Sequence, residues 1–215
     1  EMVRDHREAW PEGYRGYRQD NNLTIAEALR TAGYHTAMAG KWHMGKAYTP
    51  VDCGFDDFYG FLSGAMTYWN PDRYVRLPET APRREYARGE FYATDAITDY
   101  AIDFAARACE LHKPLFLHVA YNAPHFPLQA PRERIDHYME VYLKGWDAVR
   151  EEREARLRRL GLLSDEEQAA GRGVVPASQF IDRTRPIPAW KELSEEQQHD
   201  LARRMAIYAA MVDIM

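Results

Sequence analysis

The sequence predicts an α/β fold, a mostly parallel sheet flanked by helices with long loop and helical excursions. Two observations carry this. A helical pattern passes directly into a strand pattern twice, over residues 24–39 and again over residues 94–120, and repeated helix-then-strand order makes a parallel sheet. Each strand pattern is followed at once by polar groups, Lys41 and His43 in the first case and the run from Tyr121 to His125 in the second. Ligand sites in open α/β sheets lie just beyond those carboxyl ends.

Residues 1–22 are polar and turn-rich and read as a surface loop. Residues 24–32 form a helix with a capping box, Thr24 and Glu27 each satisfying the other's backbone amide. Ile25, Leu29 and Ala32 give it an apolar stripe, and Gly33 stops it. The following strand alternates, Tyr34, Thr36 and Met38 on one side and His35, Ala37 and Ala39 on the other, until Gly40 breaks the run. Residues 46–92 carry little periodicity but many aromatics, and read as a loop with those rings packed beneath it. In that reading Asp56 and Asp57 cap turns or face solvent. Tyr68 and Trp69 are scaffold packing, with a wall of a substrate cleft as the alternative.

Residues 94–111 form the cleanest amphipathic helix, with Ile97, Tyr100, Ala101, Phe104, Ala105, Ala108 and Leu111 on one face. Residues 115–120 then read as a buried strand in which His118 is a core histidine; His112 and His137 lie at the surface. Residues 130–160 are helical and highly charged, and the alternating charges from Arg150 to Arg159 form a solvated face. Residues 161–192, with two glycines and three prolines between 171 and 188, are an irregular surface excursion. Ser194 and Gln197 open the last helix with a second capping box, and Leu201, Met205, Tyr208, Val212 and Met215 are its expected core face.

The chain has 215 residues, is 46% hydrophobic and carries a formal net charge of −5. That suits one core, or part of one larger domain. The acidic balance argues against an extended nucleic-acid surface. There is no apolar run of the length a membrane helix needs. Cys53 and Cys109 have no metal-ligand spacing and read as ordinary buried or half-buried thiols.

Lys41 is a fixed cation and His43 a titratable imidazole, placed where a strand ends. Together they suit a small tetrahedral anion such as sulfate or phosphate. His125 stands between Pro124 and Pro127, which restrict the local backbone and suit a pre-positioned group. Each residue taken alone reads more readily as a solvated loop or structural side chain. Their occurrence at corresponding places after two strands favours one shared anion site.

These stretches also carry a family resemblance. Gly33-Tyr34-x-Thr36-x-x-x-Gly40-Lys41-Trp42-His43-x-Gly45 resembles the second signature of the sulfatase family, within the alkaline-phosphatase superfamily. Residues 54–60 resemble the segment that follows that signature. Ala123-Pro124-His125-x-Pro127 resembles the segment that supplies a sulfate-binding histidine, and residues 145–153 resemble a stretch of the arylsulfatase branch.

The resemblance implies a partial alkaline-phosphatase-like (sulfatase) domain, with residues 1–215 an internal part of one catalytic domain and 161–192 an excursion within it. It implies hydrolysis of a sulfate monoester, aryl or carbohydrate, by a formylglycine nucleophile aided by a divalent cation, usually calcium. Neither Cys53 nor Cys109 sits in the Cys/Ser-x-Pro/Ala-x-Arg pattern of that nucleophile. The nucleophile, its arginine partner, the metal ligands and a second lysine are therefore expected outside these residues, no metal site is expected within them, and the 215 residues alone are expected to be inactive. Carried over by motif, Lys41 would bridge nucleophile and sulfate. His43 would act as base in releasing sulfate, and His125 would contact the sulfate near the leaving oxygen as acid. Alternatives are a phosphonate or phosphodiester hydrolase of the same superfamily, or a non-catalytic anion-binding module. A periplasmic or secreted location is suggested by the family alone.

Overall fold

A computed structural model describes residues 22–45, 48–164 and 188–215. The expected loop at 1–22, save Asn22, and most of the excursion at 161–192 lie outside the described residues. The chain divides into two units, Glu1–Gln129 with Met211–Met215, and Ala130–Ala210.

The first unit holds a four-stranded sheet in the order β3-β2-β1-β4. Strand β1 (His35–Lys41) runs parallel to both β2 (Asp57–Phe61) and β4 (Leu115–Ala120), while β3 (Val75–Leu77) adds antiparallel to β2. Residues 35–40 are all buried, as a central strand covered on both faces requires. On one face α1 (Ile25–Thr31) sets Ala26 against Met38, Phe55 and Phe58. On the other, α2 (Ala93–Glu110) lays Ile97, Tyr100, Ala101, Phe104 and Ala108 on the sheet, with the Tyr100 ring stacked on Tyr59 at 3.7 Å. Of the expected face, Ala105 is only half-buried and Leu111, where the helix ends, is exposed.

The capping box of α1 forms as expected, Glu27 N donating to Thr24 Oγ1 at 3.0 Å and Thr24 N to Glu27 Oε2 at 2.8 Å. Its apolar stripe does not face the core, however: Ile25 and Ala32 are exposed and only Ala26 is buried. Thr24 Oγ1 also donates to the Cys53 carbonyl at 2.7 Å, which pins the start of the helix to the turn before β2 and fixes its rotation.

Residues 46–92 are not one loop, since they contain β2 and β3. All five residues of β2 are buried, so the strand has no alternation to read. Nor do Asp56 and Asp57 simply cap turns or meet solvent. Asp56 Oδ2 accepts from Thr36 N at 3.0 Å and Thr36 Oγ1 at 3.1 Å, tying the turn before β2 to the start of β1. Asp57, 1% exposed, is a buried carboxylate paired with Arg76 of β3 and with Arg107 Nε at 3.3 Å. His35 Nε2 stands 3.1 Å from Asp57 Oδ2, a close contact without hydrogen-bond alignment. The Arg76 guanidinium also lies 5.0 Å from the centre of the Phe104 ring.

Among the described residues β4 is a rim strand rather than a buried one, and His118 is exposed rather than a core histidine. His118 pairs in register with Met38, on the face of α1, yet its side chain is exposed. Cys53 is buried and Cys109 exposed, so the expectation of buried or half-buried thiols holds only for the former.

The second unit holds α3 (Arg132–Leu143), α4 (Trp146–Arg159) and residues 195–210 of α5 (Glu195–Ile214). The charged stretch is thus two helices, and α4 buries none of its residues. Trp190 N donates to Asp147 Oδ2 at 3.1 Å, and its ring meets Trp146 edge-on at 4.9 Å. The capping box at the start of α5 forms, Ser194 N donating to Gln197 Oε1 at 3.0 Å and Gln197 N to Ser194 Oγ at 3.3 Å. Its buried positions are Ala202, Ala206, Ala210 and Met211, whereas Met205, Tyr208, Val212 and Met215 are exposed. The small-residue row, rather than the bulky row beside it, is the buried face.

Candidate active site

Strands β1 and β4 lie side by side in parallel, Gly40 opposite Ala120, so both end at one edge of the sheet. Lys41 is the last residue of β1, half-buried, and His43 follows two positions on. Residues 121–129 leave the neighbouring strand at the same edge and carry His125, which is exposed. The two segments that sequence reading singled out therefore issue from adjacent strand ends.

Gly40 makes that adjacency possible. Its φ is +120°, and a Cβ there would stand 1.9 Å from the Ala120 carbonyl oxygen. Trp42 anchors the turn beyond it: its amide donates to the Phe61 carbonyl at 3.0 Å and its Nε1 to the Tyr48 carbonyl at 2.9 Å. Lys41 and His43 thus flank a residue fixed at both backbone and side chain. His43 has φ +55°, a left-handed conformation that costs a non-glycine residue about 1 kcal/mol or more and that gathers at functional sites.

His125 is held through its main chain. Its amide donates to the Asn122 carbonyl at 2.9 Å, and its own carbonyl accepts from Tyr68 Oη at 2.9 Å. The ring contact fixes a tautomer. Nδ1 lies 2.7 Å from the Phe126 carbonyl, which can only accept, so Nδ1 carries the proton. Nε2 is then a lone pair in neutral imidazole and a donor only in imidazolium.

Sequence reasoning missed Asn122 and Gln129, which build this edge, and what Tyr68 holds there. Asn122, 3% exposed, donates from Nδ2 to the Met66 carbonyl at 2.8 Å. Gln129 Oε1 accepts from Tyr68 N at 2.9 Å and Thr67 Oγ1 at 3.1 Å. Tyr68 itself is wholly buried and stacked on Tyr92 at 5.8 Å, whereas Trp69 beside it is 41% exposed. Tyr68 thus packs as scaffold, as expected. Burial, with Tyr92 adding to it, raises the Tyr68 phenol well above its ordinary pKa, so it stays a donor.

A family model described as Sulfatase matches residues 3–197. The chain belongs to the sulfatase family. It is 34% identical over 211 residues to an arylsulfatase of Klebsiella aerogenes, covering 94% of this chain and 42% of that protein. It is 30% identical over 231 residues to an uncharacterized sulfatase of Schizosaccharomyces pombe, covering 100% of this chain and 40% of the relative. The chain therefore spans about two fifths of the length of these relatives. Among solved structures, a putative sulfatase, yidJ, of Bacteroides fragilis superposes with a TM-score of 0.53 at 18% identity over 91% of this chain and 38% of its own, a likeness of fold.

Sulfatases are generally calcium-dependent and use a formylglycine. Among the described residues no three His, Cys, Asp or Glu side chains come together as a cation site. Asp57, the most deeply buried acid, is committed to Arg76 and Arg107 at the opposite end of the sheet from Lys41. The described residues therefore do not by themselves fit a calcium ion.

Proposed function

We propose that the full-length protein is a sulfuric ester hydrolase acting on a sulfate monoester, and that Lys41, His43 and His125 are this chain's contribution to its active site. The supporting observation is that the two family motifs leave adjacent parallel strands at one sheet edge. Lys41 supplies a fixed positive charge there, suited to offsetting charge that builds on a transferring sulfuryl group. His43 follows Lys41 on the same turn and serves as the base that assists release of sulfate. His125, with its proton fixed on Nδ1, offers Nε2 as a donor once the ring is protonated, and so serves as acid to the leaving oxygen.

The test is a series of aryl sulfates with leaving groups of different pKa, given to the full-length protein and three variants. Wild type is expected to release sulfate. Lys41→Ala should lower turnover by on the order of 100-fold or more, the scale of one lost charge partner. His125→Ala should harm poor leaving groups more than activated phenols, because activated phenols need less protonation. His43→Ala should slow all esters after a rapid first release of phenol. Wild-type protein that releases no sulfate from aryl or carbohydrate esters, or a Lys41→Ala variant with full turnover, would overturn the reading.

A further inference from the structure

Residues 62–70 touch both histidine-bearing segments, and none of the roles proposed above uses them. Near the start of this stretch His43 lies against Gly64: a Cβ built there would stand 2.6 Å from His43 Nε2. In the middle, the Met66 carbonyl accepts from Asn122 Nδ2. Towards the end, Tyr68 Oη donates to the carbonyl of His125 itself, and Thr67 and Tyr68 both donate to Gln129 Oε1. Tyr92 Oη donates in turn to the Gln129 carbonyl at 3.0 Å. One short stretch thus meets the first motif at one end and the segment 121–129 at three residues, Asn122, His125 and Gln129.

We propose that residues 62–70 are a bracket that sets the spacing of His43 and His125, with Gly64 and Tyr68 as positioning residues at its two ends. The inference rests on the sulfate-ester reading for the steps these histidines serve. His43 and His125 belong to separate loops and both are exposed, so neither is held by burial. Catalytic groups misplaced by about 1 Å can cost on the order of 100-fold in rate. The Tyr68 ring is suited to prevent this, being rigid, wholly buried and stacked on Tyr92. It reaches His125 by a hydroxyl fixed to that ring. Gly64 acts through what it lacks, since any side chain there meets the imidazole.

The bracket predicts two different kinetic signatures from one loop. In the full-length enzyme, Tyr68→Phe keeps the ring and removes a single donor. It should lower kcat about tenfold for poor leaving groups, the upper range for one lost hydrogen bond. KM and the rate on activated phenyl sulfates should change less than about twofold, so the dependence on leaving-group pKa steepens as in His125→Ala. Gly64→Ala displaces His43 and should slow all esters alike, about tenfold or more, with a rapid first release of phenol as in His43→Ala. A readout independent of turnover accompanies both: the imidazole Cε1–H resonance of His125 should move in Tyr68→Phe, and that of His43 in Gly64→Ala. If Gly64→Ala fails to fold, Tyr68→Phe decides alone. A steepened leaving-group dependence in His125→Ala with none in Tyr68→Phe overturns the bracket and leaves the proposed function standing. Unmoved resonances overturn it even if wild type proves inactive on every ester, an outcome that instead sinks the functional reading.

Discussion

Asp57 shows how much one side chain can hold. It is buried at the amino end of β2, paired with Arg76 and Arg107, and His35 Nε2 lies in close contact with its carboxylate. Arg76 is buried with it, so removing the negative charge strands a positive one. Asp57→Ala is therefore expected to destabilise the fold by about 3–5 kcal/mol. Chemical denaturation should show the midpoint fall, and an unchanged midpoint would contradict the pairing. Nothing local in the sequence marks this aspartate, because its partners come from β3 and α2. Lys41, His43 and His125 stand out as candidates in the sequence because each follows a strand pattern and sits in a recognisable run. Tyr68 and Gln129 do not, since their hydrogen bonds to each other and to His125 span about sixty residues of chain.

Among the elements, β1 carries the most, with a neighbour on each side and a helix on each face. Its tightest point is Gly40, where a Cβ would press on the main chain of β4 rather than on a movable side chain. Gly40→Ala should cost about 3 kcal/mol or more, combining a forbidden approach with a positive φ. Gly33 is the matched control. Its φ is +91° but nothing lies within 4 Å of a Cβ there, so Gly33→Ala should cost only about 1 kcal/mol. Equal losses of stability in the two variants would count against the close β1–β4 approach. The capping boxes at Thr24 and Ser194 and the amphipathic face of α2 were readable because each is written within a few residues. The short β2 and β3 were not, because β2 is buried on both faces and β3 has three residues. On α5 the bulky row carries the apolar periodicity, yet Ala202, Ala206 and Ala210, with Met211, form the buried row.

At the scale of the molecule, the first unit depends on tyrosines. Burial is the main reason that Tyr59, Tyr68, Tyr74, Tyr86 and Tyr92 hold their protons above the ordinary range, Tyr86 and Tyr92 pushed up to about 12. The unfolded chain gives up those protons near pH 10, so above that pH it binds fewer protons than the folded chain. The stability they contribute is full below pH 10 and is lost as pH climbs through about 12. An alkaline titration followed at 295 nm and by circular dichroism should show these tyrosines ionising together with unfolding. Stepwise ionisation near pH 10 in a folded protein would contradict this. The position of β4 on the rim has a consequence of a different kind. A parallel strand bonded on one side engages only alternate amides, whereas β1 is bonded on both. In deuterium oxide β1 should resist labelling along its whole length, while β4 shows a two-residue rhythm of slow and fast amides. The last backbone of this pair to be labelled is then the strand that delivers Lys41.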